Sequence, residues 1–466
     1  MLRYRRYIGE TIDRVEKYFS STEFDREYAR YIVMVLLSHT KNLLNKNLIP
    51  KEYGEEIIFL LKDLLKNNCK DLYKWINEKK VLFEDLFEAL ESYLYDKSRG
   101  ALYIPLGRSR NDHVATVLRL YVRDVMIDII KKIIDLRDIL IKKSFENKDV
   151  IIPYFTHQQI AQCGSASIYF LSYAHIFSNI TKMIFNSIEI LRENPLSSGA
   201  SAGSMVELDL SLSSKDLCLD NRNLPSYYAT GSRLFILYPM TILTLLAAEL
   251  SRLSEDMILY NNVMSNALKI SPEHVATSSI MPHKRNLVTI EILRAKMSEI
   301  ISLSTSSLEI YRDVPYGYNL DLQEINRLFI ETINIMRESL DIIIDFLIKT
   351  SFDREEAEKF LKDKPCWSSD LIEYIALKDK KPVREIYMYL SKKFSECQKI
   401  DLSCINEILN ELGFSLEDVY KMIREKPFEK NIVQMIELAK EDLRKDLTKI
   451  ENLEAEIKKC YDNLLS

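Results

Sequence analysis

Glycine and proline are scarce in this chain, ten and twelve in 466 residues, and the two residues that punctuate regular structure leave long stretches untouched. Other absences narrow the class of protein. Seven cysteines (69, 163, 218, 366, 397, 404 and 460) are odd in number, lie far apart and form no Cys-x-x-Cys pair, so neither a disulfide framework nor a zinc site is expected, and a reducing cytosol fits. No charge-free apolar run reaches the ~18 residues that span a bilayer, and residues 1–20 alternate charge with apolar residues, unlike a secretory signal. A net charge of −5 from 64 basic and 69 acidic side chains gives no footprint for nucleic acid or an anionic membrane. The best basic patch, Arg3 to Arg6, is too short to argue from. A cytoplasmic protein is expected. His-Glu-x-x-His, EF-hand, Gly-x-Gly-x-x-Gly, P-loop and Gly-x-Ser-x-Gly patterns are all missing, so metal, nucleotide and hydrolase readings find no support and no cofactor is expected. Glutamine is also rare; the composition, rich in Lys, Glu and Ile, drifts toward that of heat-adapted proteins.

Five intervals contain neither glycine nor proline: 108–152, 165–194, 240–271, 283–314 and 318–364. Each far exceeds the ~11–12 residues of an average helix. Apolar residues recur within them at helical spacing, as in Val117, Leu120, Tyr121, Val125 and Ile129, or Ile242, Leu245, Leu246, Leu250 and Leu253, and strand alternation is absent. Rods of this length pack along one another, often across subunits. The expectation is an all-α protein: a central bundle of five long helices (106–364) flanked by two smaller helical domains, 1–105 and 365–466.

Polar clusters sit at the ends of the rods, where functional groups are usually presented. Residues 277–286, Thr-Ser-Ser-Ile-Met-Pro-His-Lys-Arg-Asn, combine hydroxyls, a proline-stiffened turn, a lysine and an amide. A serine beside a fixed cation can move a proton, and a lysine with an amide donor can stabilise the oxyanion formed when carbon next to a carboxylate is deprotonated. Gly107 to His113 brings two guanidiniums, a hydroxyl and an amide to a helix start, suited either to binding carboxylates or simply to capping with Ser109 or Asn111. Thr156 to Gln162 holds His157 and three of the six glutamines, and a fourth, Gln323, lies in the cluster Tyr318 to Glu324. A lone histidine on a helix face is more often structural than catalytic until a partner is found. Ser197 to Ser204 is a small-residue turn that permits close backbone approach.

At these clusters the sequence resembles the fumarase/aspartase superfamily and, within it, the argininosuccinate lyase family. Residues 277–286 match the superfamily loop Gly-Ser-Ser-x-Met-Pro-x-Lys-x-Asn except that Thr277 stands for the glycine. Gly107 to Asp112 is similar to the family signature Gly-Arg-Ser-Arg-Asn-Asp, Leu250 to Asp256 to its bundle helix, and Tyr318 to Glu324 to Tyr-Asn-Lys-Asp-Leu-Gln-Glu. The resemblance implies cofactor-independent anti β-elimination of argininosuccinate to arginine and fumarate, in a homotetramer whose active sites are shared between subunits. It implies Ser278 as the base, Lys284 and Asn286 as holders of the dianionic carboxylate, and His157, oriented by Glu291, as the group that protonates the departing nitrogen. Acid and base are interchangeable between Ser278 and His157 at this point. Ser109, Arg110, Asn111, Thr156, Tyr318, Gln323 and, from a weaker match over residues 21–26, Ser21 are the implied substrate contacts. Three positions depart from the pattern: Glu91 where the family often has a His-Thr or His-Ser pair, and Leu320 and Asn326 where lysines are usual. Pro-His-Lys-Arg-Asn at 282–286 is also the wording of adenylosuccinate lyases. The alternatives are therefore another fumarate-releasing lyase of the superfamily and a non-catalytic structural relative like those used in eye lenses.

Overall fold

In the computed structural model, which describes residues 12–466, each glycine- and proline-free interval holds one long helix. The five are Arg110–Glu146, Ala166–Leu191, Leu234–Val263, Val288–Arg312 and Leu322–Ile348. Arg3 to Arg6 lies outside the described residues. The 37-residue first rod is about 55 Å long at the usual helical rise. It lies along Ala166–Leu191 and Leu322–Ile348, while Val288–Arg312 is sandwiched between Leu234–Val263 and Leu322–Ile348. The fold is all-α, as the spacing predicts. The Leu234–Val263 helix starts before the proline that the punctuation rule sets as its limit: Pro239 is buried inside it, at the loss of one helical hydrogen bond. By hydropathy alone this helix is apolar enough to cross a membrane, but Ile236, Leu243, Leu246 and Leu250 on it are fully buried in the bundle core.

A sixth long helix, Ile432–Leu465, runs as a strap along Arg110–Glu146 and Ala166–Leu191. Its buried residues Ile436, Leu443, Ile450, Ile457 and Leu464 recur every seventh position, the seam of a helix that follows its neighbour over many turns. Buried arginines from the first rod reach the strap. Arg137 donates to Asp446 (2.6 Å), and Arg123 donates to the Tyr461 hydroxyl (2.8 Å) and to the carbonyls of Leu217 and Cys218. A buried guanidinium is tolerable only with such partners.

A short antiparallel hairpin and a second two-stranded antiparallel pairing depart from the strand-free expectation. Ile151–Thr156 pairs with Gln159–Ser165, and Leu268–Ile270 with Thr350–Phe352. The cysteine expectation is also corrected. Cys163 is bonded to Cys366 and Cys397 to Cys404; the first bridge joins residues 203 apart in sequence, a proximity that only the fold creates. Apolar side chains form two buried clusters. One runs through the N-terminal helices, the bundle and the strap. The other gathers residues 361–423 around the fully buried Trp367, and it includes Ile151 and Cys163 of the hairpin.

Replacing Ile450 by alanine is expected to cost about 2–5 kcal/mol, whereas Glu451→Ala, its exposed neighbour, should change stability by no more than about 0.5 kcal/mol. Urea unfolding followed by circular dichroism checks this; equal midpoints for the two variants would dismiss the strap as a structural element.

Candidate active site

The start of the Arg110–Glu146 helix organises one end of the bundle. Gly107 has φ +75°, and a Cβ there would lie 2.9 Å from the side chain of Val206, so the turn into the helix calls for glycine. Ser109 caps the helix by accepting from the Asn111 N–H (3.3 Å), and Asp112 closes the box by accepting from the Ser109 N–H (2.9 Å). The other Asp112 oxygen accepts from the N–H of Gly199 (2.9 Å), and the Asn111 amide donates to the carbonyl of Ala200 (3.0 Å). The small-residue turn 197–204 is thus docked onto the first cluster. Gly199 has φ +58° and room for nothing larger, since a Cβ would stand 2.5 Å from the Gly203 carbonyl oxygen. Burial pushes the carboxyl of Asp112 up to about 7 against the opposing pull of these N–H groups.

The two guanidiniums of that cluster part company. Arg108 turns inward to form an ion pair with Glu91, both side chains at least 90% buried, and donates from Nε to the Ile104 carbonyl (3.1 Å). Glu91, one of the departures from the family pattern, is therefore the counter-ion of Arg108. Arg110 instead donates to Asp85 (2.9 Å) and stands 3.6 Å from Glu84.

Asp85 opens the Leu86–Lys97 helix as its cap. Beside it lies a buried group built on Asp25, only 1% exposed, which accepts from Ser21 Oγ (2.8 Å), the Leu86 N–H (2.9 Å) and the Tyr28 hydroxyl. Burial, and next the charge of Asp85, push Asp25 up to about 7. Gln323, in the first turn of Leu322–Ile348, donates to the carbonyl of Phe19 (2.9 Å), which fixes the N-terminal segment across the same end. Tyr318 is half-buried with the Arg233 guanidinium 5.8 Å from its ring centre, and burial raises its hydroxyl, with Asp85 and Arg110 also acting on it. Arg233 is 1% exposed and has no carboxylate partner among the described residues. It donates to the carbonyls of Thr230 and Ser232, and burial lowers it to about 10. The fold thus brings Ser21, Ser109, Arg110, Asn111, Tyr318 and Gln323 to one polar end. Sequence reasoning did not single out Asp25, Asp85 or Arg233. Asp25 lay inside the matched segment 21–26, while Asp85 and Arg233 carry no motif.

Of the remaining residues, Thr156, His157, Lys284 and Glu291 are exposed, and Ser278 and Asn286 are partly so. His157 is on a β-turn between two rods: His157 and Gln158 form the two-residue connection of the hairpin, with φ +53° and +59°, between the paired Thr156 and Gln159. Such a turn ordinarily takes Asn-Gly, and left-handed backbone costs roughly 1–2 kcal/mol for each ordinary residue. Held-in strain of this kind clusters at functional sites. Residues 277–286 form a loop closed at its neck by reciprocal backbone bonds between Ala276 and Asn286 (2.9 and 2.8 Å). Ser278 Oγ accepts from the Met281 N–H (3.2 Å), and Lys284 is exposed. Glu291 is exposed on the first turn of Val288–Arg312. Among the described residues no hydrogen bond or ion pair within the chain joins Thr156, His157, Ser278, Lys284, Asn286 or Glu291 to another of the sequence-predicted site residues. Leu320 is 41% exposed, and Asn326 is buried with its carbonyl oxygen unpartnered. One group with metal-ligand spacing exists among the described residues, Glu273, His274 and Asp345, but Lys349 already pairs with both of its carboxylates.

Residues 6–302 match the family described as Lyase. An argininosuccinate lyase of Pyrococcus furiosus is 33% identical over 454 residues, 96% of each chain, and one of Sulfurisphaera tokodaii is 35% identical over 395 residues, 84% of each. The chain belongs to the argininosuccinate lyase family. Solved structures agree on the fold: EDDS lyase in complex with formate has a TM-score of 0.78 at 17% identity, covering 96% of this chain and 94% of that one. Class II fumarase from Schistosoma mansoni has 0.66 at 18%, covering 80% and 90%.

The raised carboxyl of Asp25 has a consequence for this family member's stability. Its folded value, about 7, lies above the ordinary 3.8, so the folded state holds a proton that the unfolded chain has released. The associated stability is present in full below about pH 4 and is lost as pH rises toward 7. Asp25→Asn should flatten that part of the melting-temperature profile; an unchanged slope between pH 4 and 7 would remove Asp25 as its source.

Proposed function

We propose that this chain cleaves argininosuccinate to arginine and fumarate by cofactor-independent anti β-elimination. The observation that carries the reading is the presence, in one chain matched to argininosuccinate lyases over 96% of its length, of both the 277–286 loop and the docked Gly107 to Asp112 helix start. Ser278 takes the proton from the succinyl carbon, and the electron pair moves onto the adjacent carboxylate. The Lys284 ammonium and Asn286 amide stabilise the resulting dianion, the kind of preorganised electrostatic task that dominates many rate enhancements. As the carbon–carbon double bond forms and the carbon–nitrogen bond breaks, His157, oriented by Glu291, delivers a proton to the departing guanidino nitrogen. Ser21, Ser109, Arg110, Asn111, Thr156, Tyr318 and Gln323 hold the substrate.

A homotetramer with sites shared between subunits accounts for two features. The turn at His157, the loop around Ser278 and Glu291 point outward from a single chain. Apolar side chains are also exposed on single helix faces, Leu234, Tyr238 and Leu245 on one rod and Ile301 and Leu308 on another, as expected of rods that meet further copies. On this reading 106–364 is the domain that associates, with 1–105 and 365–466 capping it, and the enzyme is a soluble cytoplasmic one of arginine biosynthesis. Adenylosuccinate is the competing substrate because of the wording at 282–286.

Purified protein offered argininosuccinate and adenylosuccinate separately should release fumarate, read as ultraviolet absorbance, from the first. Release from adenylosuccinate alone would reassign the leaving group. Ser278→Ala should lower kcat by on the order of 10²–10⁴-fold with circular dichroism unchanged, and full activity in that variant would take the serine out of the mechanism.

A further inference from the structure

We propose that the C-terminal helical unit positions the His157 turn, with Asp370 and Lys426 as the positioning residues; this rests on the reading of His157 given above. A two-stranded hairpin has little stability of its own, and this one ends in a turn whose two residues are both left-handed without being glycine. Its shape has to be imposed by what it packs on. The bundle holds the first strand, where the Tyr260 hydroxyl donates to the Pro153 carbonyl (3.0 Å) and its ring meets that of Phe155. The strand that returns from the turn is held instead by residues far along the chain.

Gln162, four residues beyond the turn, donates from its amide to Asp370 (2.7 Å), whose other oxygen pairs with Lys426 (2.6 Å). The same ammonium donates to the carbonyl of Cys163 (3.2 Å). The Cys163 N–H donates to the Cys366 carbonyl (3.1 Å), the two side chains are disulfide-bonded, and the Ser165 N–H donates to Glu429 (3.1 Å). Asp370 is 7% exposed, so its charge is shielded from water and its attraction to Lys426 is less screened than that of a surface pair. Ile151 and Cys163 are buried in the apolar cluster of residues 361–423. The second strand is in effect an edge of the C-terminal unit. A shift of that unit moves the imidazole with it, and small displacements of a proton-transfer group are costly to rate.

The test uses the full-length protein below the melting temperature of every variant. Lys426→Met, and the disulfide-free Cys163→Ser/Cys366→Ser, should lower kcat for argininosuccinate by on the order of 10–100-fold with KM little changed. They should also shift the pH limb that belongs to the imidazole. Both should alter the rate at which diethyl pyrocarbonate modifies His157, followed by peptide mass spectrometry, a readout that needs no substrate. Lys426→Arg, which keeps the charge, should recover most of the loss. If Lys426→Met does not fold, the nearly isosteric Asp370→Asn takes its place. Wild-type kcat, pH limb and modification rate in these variants would overturn the proposal, as would a fall in kcat with the other two unmoved. Should the wild-type protein release no fumarate, the functional reading fails while the modification rates still decide whether the unit positions the turn.

Discussion

A carboxylate with no solvent contact holds the polar end of this bundle together. One oxygen of Asp112 completes the cap of the longest helix through the Ser109 N–H, and the other takes the Gly199 N–H of a turn 87 residues away. An isolated buried carboxylate would be strongly unfavourable, and here N–H groups and the positive end of the helix dipole offset part of that cost while burial still raises the carboxyl. Because the two oxygens are spent on different segments, the position of Asn111 and the path of the 197–204 turn are set by a single side chain. Arg108 extends the arrangement through Glu91, and Arg110 through Asp85, so the neighbouring Leu86–Lys97 helix is registered against the same point by two ion pairs.

Polar groups in this molecule fall into two populations. Charged groups inside are held by partners: the arginines of the first rod each reach a carboxylate, a hydroxyl or a carbonyl, and Asp25 collects three donors. Those on the 277–286 loop and the His157 turn make few contacts within their own chain. A side chain that needs to change partners during a reaction is better left without a fixed one, whereas groups that define the shape of a pocket gain from being locked. The hairpin joins the two populations, with a strained exposed turn on strands whose other ends are bonded, paired and packed.

Much of the fold was legible because it follows from local rules. Long intervals free of glycine and proline with apolar residues at helical spacing can be little else, and each of the five became a rod. The seven-residue recurrence from Ile436 to Leu464 was equally legible and passed unread beneath the charge-rich composition around it. The hairpin at 151–165 was harder, since Pro153 and its short apolar runs give no alternation to count, and the turn at His157 and Gln158 contains neither residue that such turns ordinarily take. At the polar end, motif residues were recognisable by their chemistry, but Asp25, Asp85 and Arg233 became visible only once burial had been fixed. A lone acid or arginine in a helical pattern is ordinarily a solvated one.

The sequence by itself determined the helical class, the presence of five bundle rods, the family, and the identities of the chemistry-bearing residues, since these depend on composition, periodicity and short motifs. Tertiary structure decided which of those residues share an environment, that Arg108 is consumed by Glu91 while Arg110 faces Asp85, that Cys163 meets Cys366, and that Asp25 and Asp112 hold their protons to near neutrality. The reason is physical: desolvation, charge pairing and disulfide geometry are properties of neighbours in space, and here those neighbours lie from a few residues to more than two hundred apart along the chain.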